Sequence, residues 1–366
     1  MTTLVLTTAF ARAAPVMGAF LFARYLHSHG EQVVFAALDD SPSGFGDEIA
    51  ASGVPTHSFS LGGWLGMRKR GAVQAYVDAH GIDVVMSDGL RPDIVASGLR
   101  GITRVSNVRG LLREHYALDY PIGVAQAATW AQARALKKLD GVFAISPEIA
   151  EHLTDLGVSS DSIRVVDNFI DVEAVAGAGH GGPELGPGVH IGLFGALIRR
   201  KRIDIALRGF AGLLSGAGHV VATLHLAGDG PMRSQLAKLA GELGISERVV
   251  FHGFLAQPLP LMAKMDIVLL TSDREGVPRS LMEALALGRT CVSSAFPGIA
   301  SVIRDGETGY VFKPGDPVAL ASALANVVGG ARIPRDRLTA YMMERHDVGA
   351  CALEMWRQIR DIAQVR

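Results

Sequence analysis

The chain is short of several things, and each shortage removes a class of protein. Of its 366 residues only Cys291 and Cys351 are cysteines, too few for a disulfide scaffold. One sits in an apolar strand-like run and the other in a helical pattern, so both read as buried thiols of a reducing compartment. No stretch reaches the ~20 consecutive apolar residues that a membrane-crossing helix needs. The opening Met1-Thr2-Thr3-Leu4-Val5-Leu6 lacks the basic flank and long apolar run of a signal peptide, and it reads as a core strand of a cytoplasmic protein. Charge is sparse and balanced, with 19% Asp, Glu, Lys and Arg and a formal net charge of −1, so there is no basic field for a nucleic acid. Up to Asp171 there are 14 Lys and Arg against 18 Asp and Glu, and beyond it 21 against 18; the second half is the more basic. The sequence contains no Gly-x-Ser-x-Gly elbow, phosphate loop, His-Glu-x-x-His, Cys-x-x-Cys or Asp-x-Asp, which removes the common hydrolase, nucleotidase and metal-site signatures.

Glycine and aliphatic residues are plentiful, with 43 glycines and 49% hydrophobic residues. That composition fits a large α/β protein with many short loops, and the length suits two domains. Apolar runs such as Thr3–Thr8, Gln32–Leu38, Val84–Ser87 and Ile163–Val166 alternate with helical patterns such as Pro15–Ser28. This predicts doubly wound parallel sheets of the Rossmann type. Around residues 177–188 the chain becomes Gly-Ala-Gly-His-Gly-Gly-Pro-Glu-Leu-Gly-Pro-Gly, which is linker chemistry giving two domains freedom to open and close. The expected division is an N-terminal domain over 1–172, a linker over 173–188, a second domain over 189–345 and a terminal helix over 346–366.

One stretch organises the rest. Ile267–Leu270 reads as a buried strand, Asp273–Pro278 as a loop and Arg279–Leu287 as a helix closed by Gly288. In open parallel sheets ligands gather beyond the carboxyl ends of the strands, where loop amides and a helix start can hold an anion. Glu275 lies in that loop and Glu283 about two turns into the helix. A second basic segment, Arg199-Arg200-Lys201-Arg202, follows the strand-like run His190–Phe194. Cations at a helix start oppose the helix dipole unless an anion is present, so this segment reads as a phosphate site.

The glutamate pair, with Gly276-Val277-Pro278 after the first and Met282-Glu283-Ala284-Leu285-Ala286-Leu287-Gly288 around the second, resembles the signature of retaining nucleotide-sugar glycosyltransferases of family 4, which have the GT-B fold. Further similar segments are Ser146-Pro147, Asp167-Asn168-Phe169-Ile170-Asp171, Gly195 to Lys201, Gly228-Asp229-Gly230-Pro231, Val249 to Phe254, a closing hairpin over Asp305 to Phe312 and an amphipathic final helix that in the family crosses back onto the first domain. The resemblance implies that Glu275 and Lys201 are the catalytic pair. Glu275 would hold hydroxyls of the donor sugar, Glu283 those of the ribose, and Lys201 the diphosphate. Gly195, Gly228, Phe251 and Gly253 would border the nucleotide, and Gly276, Val277, Pro278, Arg279, Ser280 and Leu281 would form the loop and helix start around it.

The sequence departs from the family at Ala196, where an arginine is usual, so Arg199, Arg200 or Arg202 is left to replace it; at Ser301, where a glutamate is usual; and at Phe169 for a glycine. On the acceptor side the usual paired glycines reduce to Gly18 within Arg12–Gly18. The usual histidine after Arg104 is absent, leaving Asn107, Arg109 or His115 for its contact. The implied reaction moves a sugar from a UDP- or GDP-linked donor to a hydroxyl of a glycan or lipid-linked saccharide, without metal and with retention, in surface polysaccharide or glycoconjugate biosynthesis. The segment Trp64-Leu65-Gly66-Met67-Arg68-Lys69-Arg70 leaves open a peripheral contact with the anionic inner membrane face. Two other readings are a non-catalytic nucleotide-sugar or glycan-binding protein and a nucleotide-sugar epimerase of the same fold.

Overall fold

The structure is a computed structural model and describes residues 1–11, 13–40, 45–64, 70–216 and 220–365. It has two compact units, one of Met1–Phe169 with Val348–Arg366 and the other of Ile170–Asp347.

The first unit is built on β1 (Thr2–Ala9), β2 (Gln32–Asp39), β3 (Thr56–Ser58), β4 (Val84–Ser87), β5 (Thr103–Val108), β6 (Gly141–Ala144) and β7 (Ile163–Val165), in the order β3-β2-β1-β4-β5-β6-β7. Every pairing is parallel. A parallel sheet carries helices on both faces, so its strands read as near-continuous apolar runs rather than alternations, and Leu4, Val5 and Leu6 are all fully buried. The helix Ala14–Ser28, with Pro15 in its first turn, lies against one face. The terminal helix Val348–Gln364 packs into the same core, where Trp356 joins Phe22, Phe35 and Phe143. The indole Nε1 donates to Glu31 Oε1 at 2.9 Å. Ser146 caps the helix Pro147–Asp155 by accepting from Ile149 N, as a Ser-Pro start predicts.

The second unit holds β8 (Val189–Phe194), β9 (Ala222–Ala227), β10 (Val249–Gly253), β11 (Ile267–Leu270), β12 (Thr290–Ser294) and β13 (Tyr310–Phe312), all parallel, in the order β10-β9-β8-β11-β12-β13. From β8 the chain moves outward through β9 to β10; from β11 it moves the other way through β12 to β13. The winding therefore reverses between β8 and β11, and the loops leaving their carboxyl ends diverge, the usual ligand position in such sheets.

Two local expectations need correction. The segment Asp305–Phe312 is not a hairpin: Tyr310–Phe312 pairs parallel with β12, and only an isolated bridge joins Asp305 to Gly309. Asp305 accepts from Val311 N at 2.9 Å, so the turn ties itself together while the following residues complete the sheet edge. The chain expected as a linker over 173–188 begins inside a helix, Val172–Ala178. The Asp171 carboxylate caps it at Ala174 N, 2.8 Å away, and Val172 and Val175 are buried in the core of the second unit.

Candidate functional site

Three of the side chains that the sequence singles out in the second half, Arg200, Lys201 and Glu275, meet at the reversal point. Glu275 Oε1 lies 2.7 Å from Lys201 Nζ, 2.8 Å from Arg200 Nη1 and 2.8 Å from the Ser272 hydroxyl, which donates to it. Lys201 comes from the loop after β8 and Glu275 from the loop after β11. The two loops are laced by main-chain contacts: Thr271 Oγ1 donates to Lys201 O at 2.8 Å, Asp273 N to Arg200 O at 3.0 Å, and Arg200 Nη1 to Arg274 O at 3.0 Å. Ser294 Oγ, from the end of β12, donates to Ser272 O at 2.6 Å and anchors the loop from behind. Burial would raise the Glu275 carboxyl, but Lys201, Arg200 and the Ser272 hydroxyl outweigh it and hold the group below the usual carboxylate range. The result is a largely enclosed, ionised carboxylate beside two cations.

The four basic residues after β8 do not act alike. Arg199–Lys201 forms a 3-10 turn, and Arg202 at φ +46° resets the chain before the helix Ile203–Gly216. Arg200 and Lys201 consequently face Glu275, while Arg202 turns to Asp204 and Asp273 at 3.1 and 3.0 Å, and Arg199 stays exposed. The turn rests on Gly195 at φ +146° and Gly228 at φ +150°. A Cβ on Gly228 would overlap the Gly195 carbonyl oxygen, so only glycine lets the ends of β8 and β9 approach this closely.

Glu283, its side chain 15% exposed, sits on the helix Arg279–Ala286, where Arg279 Nε donates to its Oε1 at 2.7 Å. Burial raises its carboxyl above the ordinary value despite Arg279. Pro278 caps that helix; Gly276, Val277, Ser280 and Leu281 complete the loop and first turn, Leu281 itself being fully buried. At the end of β10, the Arg233 guanidinium lies over the Phe251 ring at 5.6 Å and stands beside Gly253, whose backbone bridges Gly228. This arrangement offers a carboxylate, two cations, a helix N-terminus and a flat aromatic edge, the groups that an anionic, hydroxyl-rich ligand requires.

Residues 188–329 match the family model described as glycosyl transferases group 1, and residues 18–174 match that of glycosyltransferase family 4. The chain belongs to these glycosyltransferases. It is 30% identical to the lipopolysaccharide core biosynthesis glycosyltransferase LpsE of Rhizobium meliloti over 65% of this chain and 66% of that one. Against the lipopolysaccharide 1,6-galactosyltransferase of Escherichia coli it is 28% identical over 59% and 57%. The chain thus spans between half and two thirds of the length of these curated relatives. In structure it is similar to Anabaena HepE, solved with UDP, at a TM-score of 0.80 and 18% identity over 99% of this chain and 100% of that one. That likeness fixes the fold as GT-B.

In this family member the first unit carries a second, separate group of polar residues. A cavity of about 360 Å³ opens where β1 and β4 part, the reversal point of the first sheet. Asn107, Arg109 and His115 all line it. Arg109 Nε donates to Asp88 Oδ2 at 2.8 Å and its Nη1 to Asn168 Oδ1 at 2.9 Å. Burial raises the Asp88 carboxyl, with Arg109 opposing. Asn107 is buried, and neither atom of its amide has a hydrogen-bond partner among the described residues. Gly18 sits where a Cβ would run into the Arg109 guanidinium, so its absent side chain is what admits Arg109. Arg12 lies outside the described residues, as do Leu65 to Lys69.

Three residues at these sites escaped the sequence reading. Ser272 stands three positions before Glu275, the Ser-x-x-Glu spacing of a capping box, and that spacing could have flagged it. Asp88 and Arg233 lie far from their partners in sequence, and no local pattern marks them.

Proposed function

We propose that this glycosyltransferase moves a sugar from a nucleoside-diphosphate sugar to a hydroxyl of a glycan or a lipid-linked saccharide, without a bound metal and with retention of configuration. The observation that carries the reading is the Glu275 carboxylate held by Lys201 and Arg200 beyond β8 and β11. Without donor, the carboxylate serves as the cations' anion. When a diphosphate arrives, its multiple oxygens make stronger charge-assisted contacts to Lys201 and Arg200. Glu275 is then released to accept hydrogen bonds from hydroxyls of the sugar. Leaving-group charge is stabilised by these cations and by amides at the start of Arg279–Ala286, which are oriented before the reaction begins. Phe251, with Arg233 behind it, borders the base, and Glu283 reaches the ribose.

The UDP held by HepE supports uracil as the donor base, with guanine second. The lipopolysaccharide enzymes among the relatives support an acceptor that is a growing surface glycan. Its sugar would enter the cavity at Asn107, whose free amide offers the donor and acceptor that one hydroxyl needs. An acceptor carried on lipid places the enzyme at the cytoplasmic membrane face.

A thermal-shift panel of UDP, GDP, ADP and their sugars tests the donor site, since a ligand at 100 times its dissociation constant adds ~2.7 kcal/mol. One nucleotide should stabilise selectively, and its sugar should then be turned over only when acceptor is added. If no nucleotide shifts the melting temperature, Lys201 and Arg200 do not hold a diphosphate. Turnover of the sugar nucleotide without acceptor would instead indicate an epimerase.

A further inference from the structure

Beside the helix Ile122–Leu136 in the first unit lies a groove of about 580 Å³ that no step above uses. Ile122, Gln126, Trp130 and Arg134 follow one another at intervals of four and form a single stripe along it. Ile122 is 78% exposed and Trp130 65%, and Tyr120, just before the helix, is 50% exposed. Single exposed apolar residues are ordinary, but several on one helix mark a contact surface. Arg113, Arg134 and Lys137 also line the groove, and among the described residues no carboxylate lines it. The Arg134 guanidinium lies 5.6 Å from the Trp130 ring, so the cation sits at the border of the apolar stripe. The inner side of the helix is fixed by Gln132, whose Nε2 donates to the buried Asp93 at 2.7 Å.

We propose that this face docks on a bilayer surface rich in anionic phospholipid. Trp130 and Ile122 would enter the boundary between headgroups and acyl chains, with Arg113, Arg134 and Lys137 against the lipid phosphates. An aromatic and aliphatic stripe bordered by cations has the chemistry of an interfacial helix. A second copy of the chain is a poor occupant, because a two-fold contact would set the same cations against one another. The inference names the surface for the lipid contact proposed above and does not depend on glycosyl transfer itself.

The test uses the full chain with large unilamellar vesicles of phosphatidylcholine, alone or with phosphatidylglycerol. Flotation should recover the protein only with the anionic vesicles, and less of it at 0.5 M salt. Arg134→Glu with Lys137→Glu should cut partitioning by more than tenfold, since each cation near such a surface is worth roughly fivefold. Trp130→Ser should reduce it as well, and with less dependence on salt. In a Trp64→Phe background, adding anionic vesicles should shift tryptophan emission to the blue through Trp130. The proposal fails if anionic vesicles do not bind, if both variants bind like the parent, or if the same substitutions abolish self-association instead. A UDP thermal shift recorded on each variant keeps the two readings separate: vesicle binding lost with the shift intact concerns this surface, whereas a missing shift in the parent concerns the donor site.

Discussion

Lys201 Nζ and Glu275 Oε1 stand 2.7 Å apart, each side chain 13% exposed, at the tips of loops that leave the neighbouring strands β8 and β11. A pair this enclosed is strongly coupled, and removing either member leaves the other's charge under-compensated. It is also the centre of the proposed donor site, so it separates binding from chemistry when the two sides are changed in turn.

Lys201→Ala should weaken nucleoside-diphosphate affinity by about 10- to 100-fold, the loss of one charge-assisted contact of ~1.5–3 kcal/mol. Glu275→Gln should leave diphosphate affinity within a few-fold while turnover falls by orders of magnitude. Arg200→Ala should resemble Lys201→Ala, and Arg199→Ala should resemble the parent, because only Arg200 faces Glu275. Isothermal titration with the diphosphate and initial rates on the sugar nucleotide measure both quantities. Equal losses for Arg199 and Arg200 would sink the assignment.

Gly228→Ala should destabilise the protein by about 2 kcal/mol or more, because the residue sits at positive φ and its new methyl would overlap Gly195 O. Gly30→Ala, also at positive φ but with open space around its Cβ position, should cost only the backbone strain. Urea midpoints of the two variants compare contact with strain directly, and a Gly228→Ala midpoint no lower than that of Gly30→Ala would contradict the overlap.

His190, His225 and His252 form a chain across β8, β9 and β10. His190 Nε2 lies 2.8 Å from Gly186 O, and ring nitrogens follow at 3.0 Å and 3.0 Å. A carbonyl can only accept, so His190 carries its proton on Nε2, His225 Nε2 donates to His190 Nδ1, and His252 Nε2 donates to His225 Nδ1. Burial, with His252 and His190 adding, pushes His225 down to about 4 from 6.5. The folded value lies below the unfolded one, so this stability is present above pH 6.5 and is lost as pH falls toward 4, at up to ~1.4 kcal/mol per pH unit. The melting temperature should drop across that window, and His225→Asn should flatten the drop. An unchanged slope would remove the chain as its source.

Much of this was readable from residues near one another. The apolar runs at Thr3–Thr8, Gln32–Leu38 and Ile267–Leu270 are buried strands. The Ser146-Pro147 start, the Glu275 loop and the Glu283 helix are all local patterns with local causes. The direction of each arginine after Gly195 was not readable, because a single residue at φ +46° in the 3-10 turn decides which side chains point to Glu275. The hairpin expected at Asp305–Phe312 failed for a related reason, since a turn followed by an apolar run does not say which neighbouring strand it will join.

The sequence by itself determined the period of its apolar residues, its turn and cap chemistry, and the spacing of Glu275 from Glu283, since these are interactions among residues a few positions apart. Only the tertiary structure decided that Lys201 meets Glu275 across 74 positions, that Asp88 and Asn168 hold Arg109 from 21 and 59 positions away, and that three histidines align across three strands. Those contacts depend on strand order and register, which are set by how whole helices and sheets bury their apolar faces together, and no short segment contains that information.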